Sequence, residues 1–446
     1  MIEQTKLIKR ASRGIFITLG ILILSPLQYP LPAYSQEIRY PILCYEGEDL
    51  NKVREWEKTW VGKKINHQNV DQVKELLPET FYEIVKDPKK WNNDNITFEI
   101  VPYRMSAVST GYIKATKKYA PHSAFETEGY QATWGEIKPG EMLKGWMEGT
   151  IAGCPFPNPK TGLEIAWNYD SRTQGDGFQG GTFGEVVDVR TGSERHAYQQ
   201  SCTQYFTGRT DIPPIPNIPK NKNKCRYMNF LTIIEPVDVS GTRYMATRYL
   251  DPTKDDESWI WVAMYRRIRR MATTQRQDTI DGSDICYDDG TGIGGHIVRN
   301  TYKYLGRKEV LAFRHQDVKG LKKNKGEAQF STGYTLERIN AHVLEIVCKV
   351  EDYVYAKSLS YIDPETWGGL WKTNWDKWGR KWRFGQFYQN DYPLAEAEGS
   401  TNYIAGYSYC DLQRRHGSPS IHTDIKVGFW ITPRTFTLQN LQKLGY

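Results

Sequence analysis

Few residues of this 446-residue chain have the types and spacing of a catalytic, cofactor or metal site. The segment Gly290–Gly295 matches Gly-x-Gly-x-x-Gly, but it follows Asp288 and Asp289. A dinucleotide site needs that motif directly after an apolar strand and before a helix, so we interpret the segment as a hairpin loop. The chain has no Gly-x-Ser-x-Gly elbow and no His-Glu-x-x-His helix, and its eight histidines are scattered without ligand spacing. The acidic run 281–289 lacks the pattern of a calcium loop and is assigned to the surface. The sequence predicts neither an enzyme nor a metal or cofactor site.

Aromatic and cationic side chains supply a different kind of chemistry. The chain has 14 Trp, 29 Tyr and 15 Phe, and residues 258–270 alternate as a strand does. Aromatic area takes acyl chains out of water at about 25 cal/mol per Å², and arginines at the rim would meet a polar headgroup. The predicted ligand-binding residues are Trp259, Trp261, Tyr265, Arg267, Arg269, Trp367 and Trp382. The alternative is that the rings are core residues and the arginines pair with acids such as Asp278, Asp281 or Asp284.

The amino-terminal residues have the pattern of an export signal. Four cations precede the apolar run 15–24, prolines follow it, and Ala33-Tyr34-Ser35 offers small residues before a cut at Gln36. We expect residues 1–35 to be a cleaved signal peptide. Cys44 does not fit a lipoprotein signal, because Leu43 stands where a small residue is needed. The expected location is the periplasm, in solution or peripheral to the outer membrane, with no transmembrane segment after cleavage.

The cysteines and the charge fit an exported chain. Cys202 and Cys225 bracket a proline-rich loop and are the best candidates among the seven cysteines for a disulfide, which would stabilise the fold by about 3 kcal/mol. The formal net charge is +7, and part of it belongs to the signal. This mild excess argues against a nucleic-acid partner, which requires a concentrated basic face.

The elements that would position these residues change in type along the chain. Helical spacing of apolar residues predicts a helical part over 45–92, and period-two patterns with turns predict a sheet over 97–390. We expect residues 391–446 to form an irregular tail. Consecutive long hairpins indicate an antiparallel meander. The predicted fold class is α+β, with one domain over 36–446; two separate sheets are the alternative.

Separated motifs resemble a secreted bacterial family known as domain of unknown function 1329. The first pairs a Gly-x-Pro-Phe-Pro segment with a Trp-Asn pair, here Gly153, Pro155, Phe156, Pro157, Trp167 and Asn168. The segment Arg266–Arg270 resembles the family's arginine-rich strand, and 302–309, 361–367 and 375–383 also fit. Two departures are Cys154, where an apolar residue is usual, and the run 310–315, where the family has Pro-Tyr-Asn.

This family is similar to the outer-membrane lipoprotein-sorting proteins of the LolA/LolB type. The resemblance implies an incomplete β-barrel, a large curved antiparallel sheet whose concave face is covered by helices and receives acyl chains. It assigns no catalytic residue.

These features lead to a hypothesis of function. We expect a periplasmic carrier or chaperone that binds a lipid or other amphiphile and works with an envelope transporter and an outer-membrane acceptor. One alternative is a non-catalytic scaffold in an outer-membrane complex, with the space between helices and sheet filled. A second alternative is a hydrolase of envelope lipids or esters. A cavity of several hundred Å³ would favour the carrier over the scaffold.

Overall fold

Long strands dominate the computed structural model, which describes residues 40–91, 93, 96–120, 151–251, 254–272 and 276–443. The predicted signal peptide and its cleavage site lie outside these residues. Within them, fifteen strands form one sheet. The strands are β1 (Lys64–Ile65), β2 (Phe98–Val101), β3 (Gly177–Asp188), β4 (Ser193–Tyr205), β5 (Cys225–Glu235), β6 (Arg243–Tyr249), β7 (Glu257–Val262), β8 (Arg267–Arg270), β9 (Asn300–Ala312), β10 (Tyr334–Cys348), β11 (Lys357–Ile362), β12 (Gly369–Trp375), β13 (Lys381–Pro393), β14 (Ser400–Asp411) and β15 (His416–Val427).

Two meanders are joined into one open sheet: the first meander comprises β9 to β13, the second comprises β3 to β8, and β14 and β15 lie between them. The order of the strands is β1-β2-β10-β11-β12-β13-β14-β15-β3-β4-β5-β6-β7-β8, and β9 pairs with β10. The pairs are antiparallel except β2 with β10, where Tyr334 lies beside Phe98. Short connections between neighbouring strands produce this pattern. The predicted α+β class with a large, mostly antiparallel sheet is confirmed, and residues 38–446 form one compact unit.

The helices lie on the two faces of the sheet. They are α1 (Gly47–Trp60), α2 (Glu79–Lys86), α3 (Thr110–Tyr119), α4 (Gly162–Asp170) and α5 (Leu438–Lys443). On the α1–α2 face, Phe81 is fully buried, and its ring centroid lies 4.8 Å from that of Trp371 and 5.9 Å from that of Phe313. Phe98 and Phe384 pack in the same cluster. The space between α2 and the sheet is therefore filled by aromatic side chains.

The expected irregular tail is wrong for most of its length. Residues 391–427 contain the end of β13 and all of β14 and β15, which join the two meanders. The run 417–420 reads Gly-Ser-Pro-Ser, which resembles a turn. In the sheet, a Cβ at Gly417 would lie 2.0 Å from the carbonyl oxygen of Ala328, so close packing explains this glycine.

The strand predicted over 258–270 is instead a hairpin. β7 ends at Val262, a short 3-10 turn follows, and Arg266 has φ +49°, which reverses the chain into β8. Trp259 then pairs with Arg270, and Trp261 with Ile268. An arginine in the left-handed region is uncommon, so alternation alone did not reveal the turn.

The predicted disulfide does not form in this structure. Cys202 and Cys225 are both free thiols. Cys202 lies opposite Phe230, five residues along β5 from Cys225. At about 3.3 Å per residue, this register places the two thiols much too far apart for a bond.

Candidate functional site

The main candidate site lies on one face of the second meander. Cross-strand partners point to the same side of a sheet. The register Thr203–Asn229–Ala246–Ser258 therefore defines one surface across four strands. A cavity of about 450 Å³ lies against this surface, and we call it the β4–β7 cavity. Its floor includes Tyr205, Tyr227, Asn229, Leu231, Ala246 and Arg248.

The cavity is roofed by α4 and by residues 276–299, which we call the covering segment. Three side chains of the sheet hold the backbone of this segment: Lys372 Nζ donates to the Asp289 carbonyl at 2.9 Å, Ser360 Oγ to Gly292 at 3.0 Å and Tyr409 Oη to Gly290 at 3.0 Å. Gly292 has φ +141°, and a Cβ there would lie 2.9 Å from Gly369 Cα. The glycines thus let the segment lie directly on the sheet.

Three acids of the run 281–289 in the covering segment are not at the surface, contrary to expectation. Asp284, Asp288 and Asp289 are buried. Asp284 accepts hydrogen bonds from His416 and Ser418, and Asp289 lies 3.8 Å from Lys372. The cations that Asp284 and Asp289 meet come from distant strands, so the local sequence gave no sign of these two pairings. Gly290–Gly295 is likewise fixed on the sheet and is not a hairpin loop.

An ion cluster closes one wall of the cavity. Arg248 Nη2 donates to Asp256 at 2.9 Å, Arg276 contacts the same carboxylate, and Arg276 Nε donates to Asp288 at 2.7 Å. Burial disfavours the charged carboxylate, but Arg248 and its neighbours outweigh that effect and lower the pKa of Asp256. Burial and the nearby Arg248 lower the pKa of His296, which favours its neutral form. The cluster thus ties the covering segment to β6 and to the residue before β7.

A smaller cavity of about 160 Å³ adjoins the first one. The two share five wall residues: Asp170, Arg172, Gln174, Tyr205 and Arg226. Asp170 and Arg226 form an ion pair. Arg172 stacks 4.1 Å from the centroid of the Tyr169 ring, and one of its nitrogens donates to the Tyr169 carbonyl at 2.6 Å.

The family motif fixes the position of α4 beside these cavities. Asn168 Nδ2 donates to the Phe156 carbonyl at 2.7 Å, and its Oδ1 accepts from the Phe156 backbone nitrogen at 2.9 Å. Gly153 has φ +85°, and a Cβ there would lie 2.5 Å from the backbone nitrogen of Thr116. Pro155 and Pro157 flank the residue that Asn168 holds, and Trp167 is buried. The motif therefore sets the end of α4, from which Asp170 and Arg172 reach the cavities.

The seven ligand-binding residues predicted from the sequence are not brought together. Trp259 and Trp261 pack on the opposite face of the sheet from the cavity, against a cluster that includes Phe429, Phe436 and Leu441. The three residues after them are exposed: Tyr265, Arg267 and Arg269.

The two remaining tryptophans lie in the first meander. Trp367 is fully buried and stacks on His342, with centroids 5.5 Å apart. Trp382 Nε1 donates to Asp411 at 2.9 Å. Neither residue lines the β4–β7 cavity.

The residues that do line the cavity were missed because the sequence does not show which strands are neighbours. Tyr205, Tyr227 and Tyr244 lie in β4, β5 and β6, and only the register places them on one face. An alternating pattern with tyrosines on one side of three successive strands was the available signal. The lining contains no arrangement of nucleophile and base that we can identify.

Two further searches cover the described residues. Within those ranges, no group of three or more His, Cys, Asp or Glu side chains is arranged to hold a metal ion. None of the helices described has the length and apolar content to cross a bilayer.

Comparison with known proteins gives a family but no activity. The uncharacterized protein PA3922 of Pseudomonas aeruginosa is 26% identical over 270 residues, 56% of this chain and 57% of that protein, so the match spans just over half of the relative's length. Among solved structures, a putative outer membrane lipoprotein-sorting protein domain from Vibrio parahaemolyticus has 14% identity and a TM-score of 0.45, with 63% of this chain and 98% of that chain covered.

Two other solved structures are similar at the same level. A DUF1329 family protein from Desulfovibrio piger has 13% identity and a TM-score of 0.46 over 63% of this chain and 97% of that chain. A LolA superfamily protein from Nitrosomonas europaea has 12% identity and a TM-score of 0.39 over 63% and 100%. The model of a family described as protein of unknown function, DUF1329, matches residues 64–442. The resemblance found in the sequence is confirmed, and the chain belongs to the DUF1329 family.

Proposed function

We propose that this protein is a non-catalytic carrier that binds one amphiphilic molecule in the β4–β7 cavity. The observation that carries the proposal is the cavity itself, whose volume of about 450 Å³ lies within the range of small-molecule sites, about 300–1,000 Å³. Its lining mixes apolar groups such as Leu231 and Ile293 with tyrosines and arginines. A lining of this kind suits a ligand with one apolar and one polar part.

The α1–α2 face is a poorer candidate. A groove of about 480 Å³ runs beside α2, but charged side chains such as Glu83, Lys86 and Lys90 line it and are exposed. Water solvates exposed charged side chains strongly, so a ligand gains little binding energy by contacting them. The aromatic cluster around Phe81 leaves the space under α2 filled, so we place the ligand on the other face.

The filled α1–α2 face favours a second candidate function, a scaffold within an envelope complex. A scaffold needs no internal cavity, and half of this sheet has that character. The cavity on the other meander distinguishes the two functions, because a scaffold would gain nothing from a lined space of this size.

The proposed location is the periplasm, because residues 1–35 have the pattern of an export signal. There the chain would receive its ligand from an envelope transporter and deliver it to an acceptor at the outer membrane. Both partners belong to the proposal.

Titration with dansyl-undecanoic acid, followed by its fluorescence, tests the binding site. We expect saturable binding at one site per chain. Replacing Ala246 by Trp puts a large ring into the cavity from its floor and should weaken binding at least tenfold. The control is Ser193→Trp. Ser193 is an exposed residue at the start of β4 that does not line the cavity, so this change should alter the affinity less than twofold. Absence of binding to the wild type, or equal binding by the Ala246→Trp variant, contradicts the proposal.

A further inference from the structure

We infer that the ligand carries an anionic oxygen group, a carboxylate or phosphate, and that Arg172 binds this group at the wall shared by the two cavities. This inference rests on the proposed function and adds the chemical class of the ligand. Arg172 is one of five residues that line both spaces. A group bound there would keep its polar end at the junction and its apolar part over the β4–β7 floor.

The first step of the argument is the state of the other charges at the junction. Asp170 is paired with Arg226, and the side chains of both are only 17% exposed. On the side of the larger cavity, Asp256 is held by Arg248 and Arg276. These pairs leave no carboxylate of the larger cavity free to neutralise another cation.

The smaller cavity has one more acid, Asp176, and it is also occupied. Its carboxylate accepts hydrogen bonds from the backbone nitrogens of Thr210, Asp211 and Ile212 at 2.7–3.0 Å. Burial raises the pKa of Asp176, and the backbone hydrogen bond from Ile212 and the nearby Arg209 guanidinium oppose that shift. Asp176 thus serves the loop that follows β4.

Among the arginines that line the larger cavity, Arg172 is the one that these ion pairs do not include. In the part of the chain that the structure describes, no carboxylate lies within 4.0 Å of its guanidinium, and its contacts are the Tyr169 carbonyl and ring. One backbone bond uses only a fraction of its five N–H donors. An arginine fork in a partly buried wall is well suited to a bidentate carboxylate or phosphate.

Tyrosine hydroxyls add neutral donors around the same point. The hydroxyls of Tyr205, Tyr227 and Tyr403 form no hydrogen bond with any of the residues described, although all three rings line the larger cavity. Tyr205 and Tyr227 lie side by side, with centroids 5.3 Å apart. Tyr403 is held by stacking on Phe178 at 4.6 Å. Hydroxyl donors with fixed rings and a single unpaired guanidinium favour an acceptor-rich anion over a neutral or cationic headgroup.

The test compares dansyl-undecanoic acid with its methyl ester, which has the same tail and no charge. We expect the wild type to bind the acid about 10- to 100-fold more tightly than the ester, the range for a charge-assisted pair. Arg172→Gln should remove this preference by weakening only the acid, and Arg172→Lys should keep part of it. Inorganic phosphate should compete with the acid in the wild type and lose that effect in Arg172→Gln.

The matched control is Arg267→Gln, which removes an exposed cation that the sequence assigned to the ligand headgroup. It should leave the ratio of acid to ester affinity unchanged. Thermal melting of each variant separates loss of folding from loss of binding. If the wild type binds both probes equally, or Arg172→Gln keeps the preference, the inference is overturned while the carrier function stands. If the wild type binds neither probe, the carrier function fails first.

Discussion

His315 is an ionisable residue whose ring contacts two carboxylates. Its Nδ1 lies 2.6 Å from Glu337 and its Nε2 lies 3.1 Å from Asp391. Burial opposes the charged ring, but hydrogen bonds to Asp391 and Glu337 outweigh it and raise the pKa of His315 to about 9. The adjacent Arg314 is fully buried and pairs with Asp363 at 3.0 Å.

These contacts predict a pH dependence of stability. The pKa of His315 is raised from 6.5 to about 9, so its contribution to the free energy of unfolding is fully present below about pH 6.5 and is lost as pH rises through 9. The loss should be about 3 kcal/mol. Urea unfolding at several pH values measures it. His416, whose pKa is raised by Asp284, adds in the same direction.

The variant His315→Gln isolates this contribution. It should be less stable than the wild type at pH 6 and should show a shallower fall between pH 6.5 and 9. An unchanged slope in the variant would show that His315 is not the group responsible. The slope of the free energy of unfolding against pH is compared, because a destabilisation that does not depend on pH leaves this slope unchanged.

At the residue scale, the sequence predicted the family motif but not the candidate site. Asn168 acts through contacts with Phe156, twelve residues earlier in the same motif, so the motif could be read along the chain. The role proposed for Arg172 depends on Tyr403, which a distant strand places in the lining of the same cavity. A sequence without register information gives no sign of that neighbourhood.

At the element scale, α2 carries a structural role that is distinct from ligand binding. Phe81 from this helix contacts aromatic residues of three strands and Phe313, which follows β9, and it is fully buried. Phe81→Ala should lower the free energy of unfolding by about 3–5 kcal/mol because it leaves a cavity in a packed core. Chemical denaturation measures this loss.

The same variant separates the two faces of the sheet. Below its melting temperature, Phe81→Ala should bind dansyl-undecanoic acid within twofold of the wild type, because α2 lies on the other face from the β4–β7 cavity. Glu83→Ala, at an exposed position of the same helix, should change stability by less than about 1 kcal/mol. A loss of probe binding in Phe81→Ala with the fold intact would place the ligand under α2.

Element prediction succeeded where alternation and turns coincide and failed where tertiary contacts decide. The meander from β9 to β13 has clear turns, such as the one at Asp363, and it is antiparallel as expected. β15 contains Gly417 and Pro419, and only pairing with neighbours on both sides makes it a strand. The hairpin of β7 and β8 depends on one residue, Arg266, in a conformation that its type rarely adopts.

At the scale of the whole molecule, β15 joins a packed half to a half that holds cavities. The first meander is filled by α1, α2 and their aromatic contacts. The second meander is roofed by α4 and the covering segment, which leave spaces of about 450 and 160 Å³. This division gives the chain one densely packed half and one half with space for a ligand, and it is the basis of the proposed carrier function.

Native mass spectrometry of the protein purified from the cells that produce it tests this account most directly. The account predicts one bound small molecule per chain, and solvent extraction should release an acidic amphiphile. The Ala246→Trp variant, purified in the same way, should carry little or none of it. Two results would contradict the account: a wild-type chain detected only at the mass of the protein without a ligand, or a bound molecule that is retained equally by Ala246→Trp.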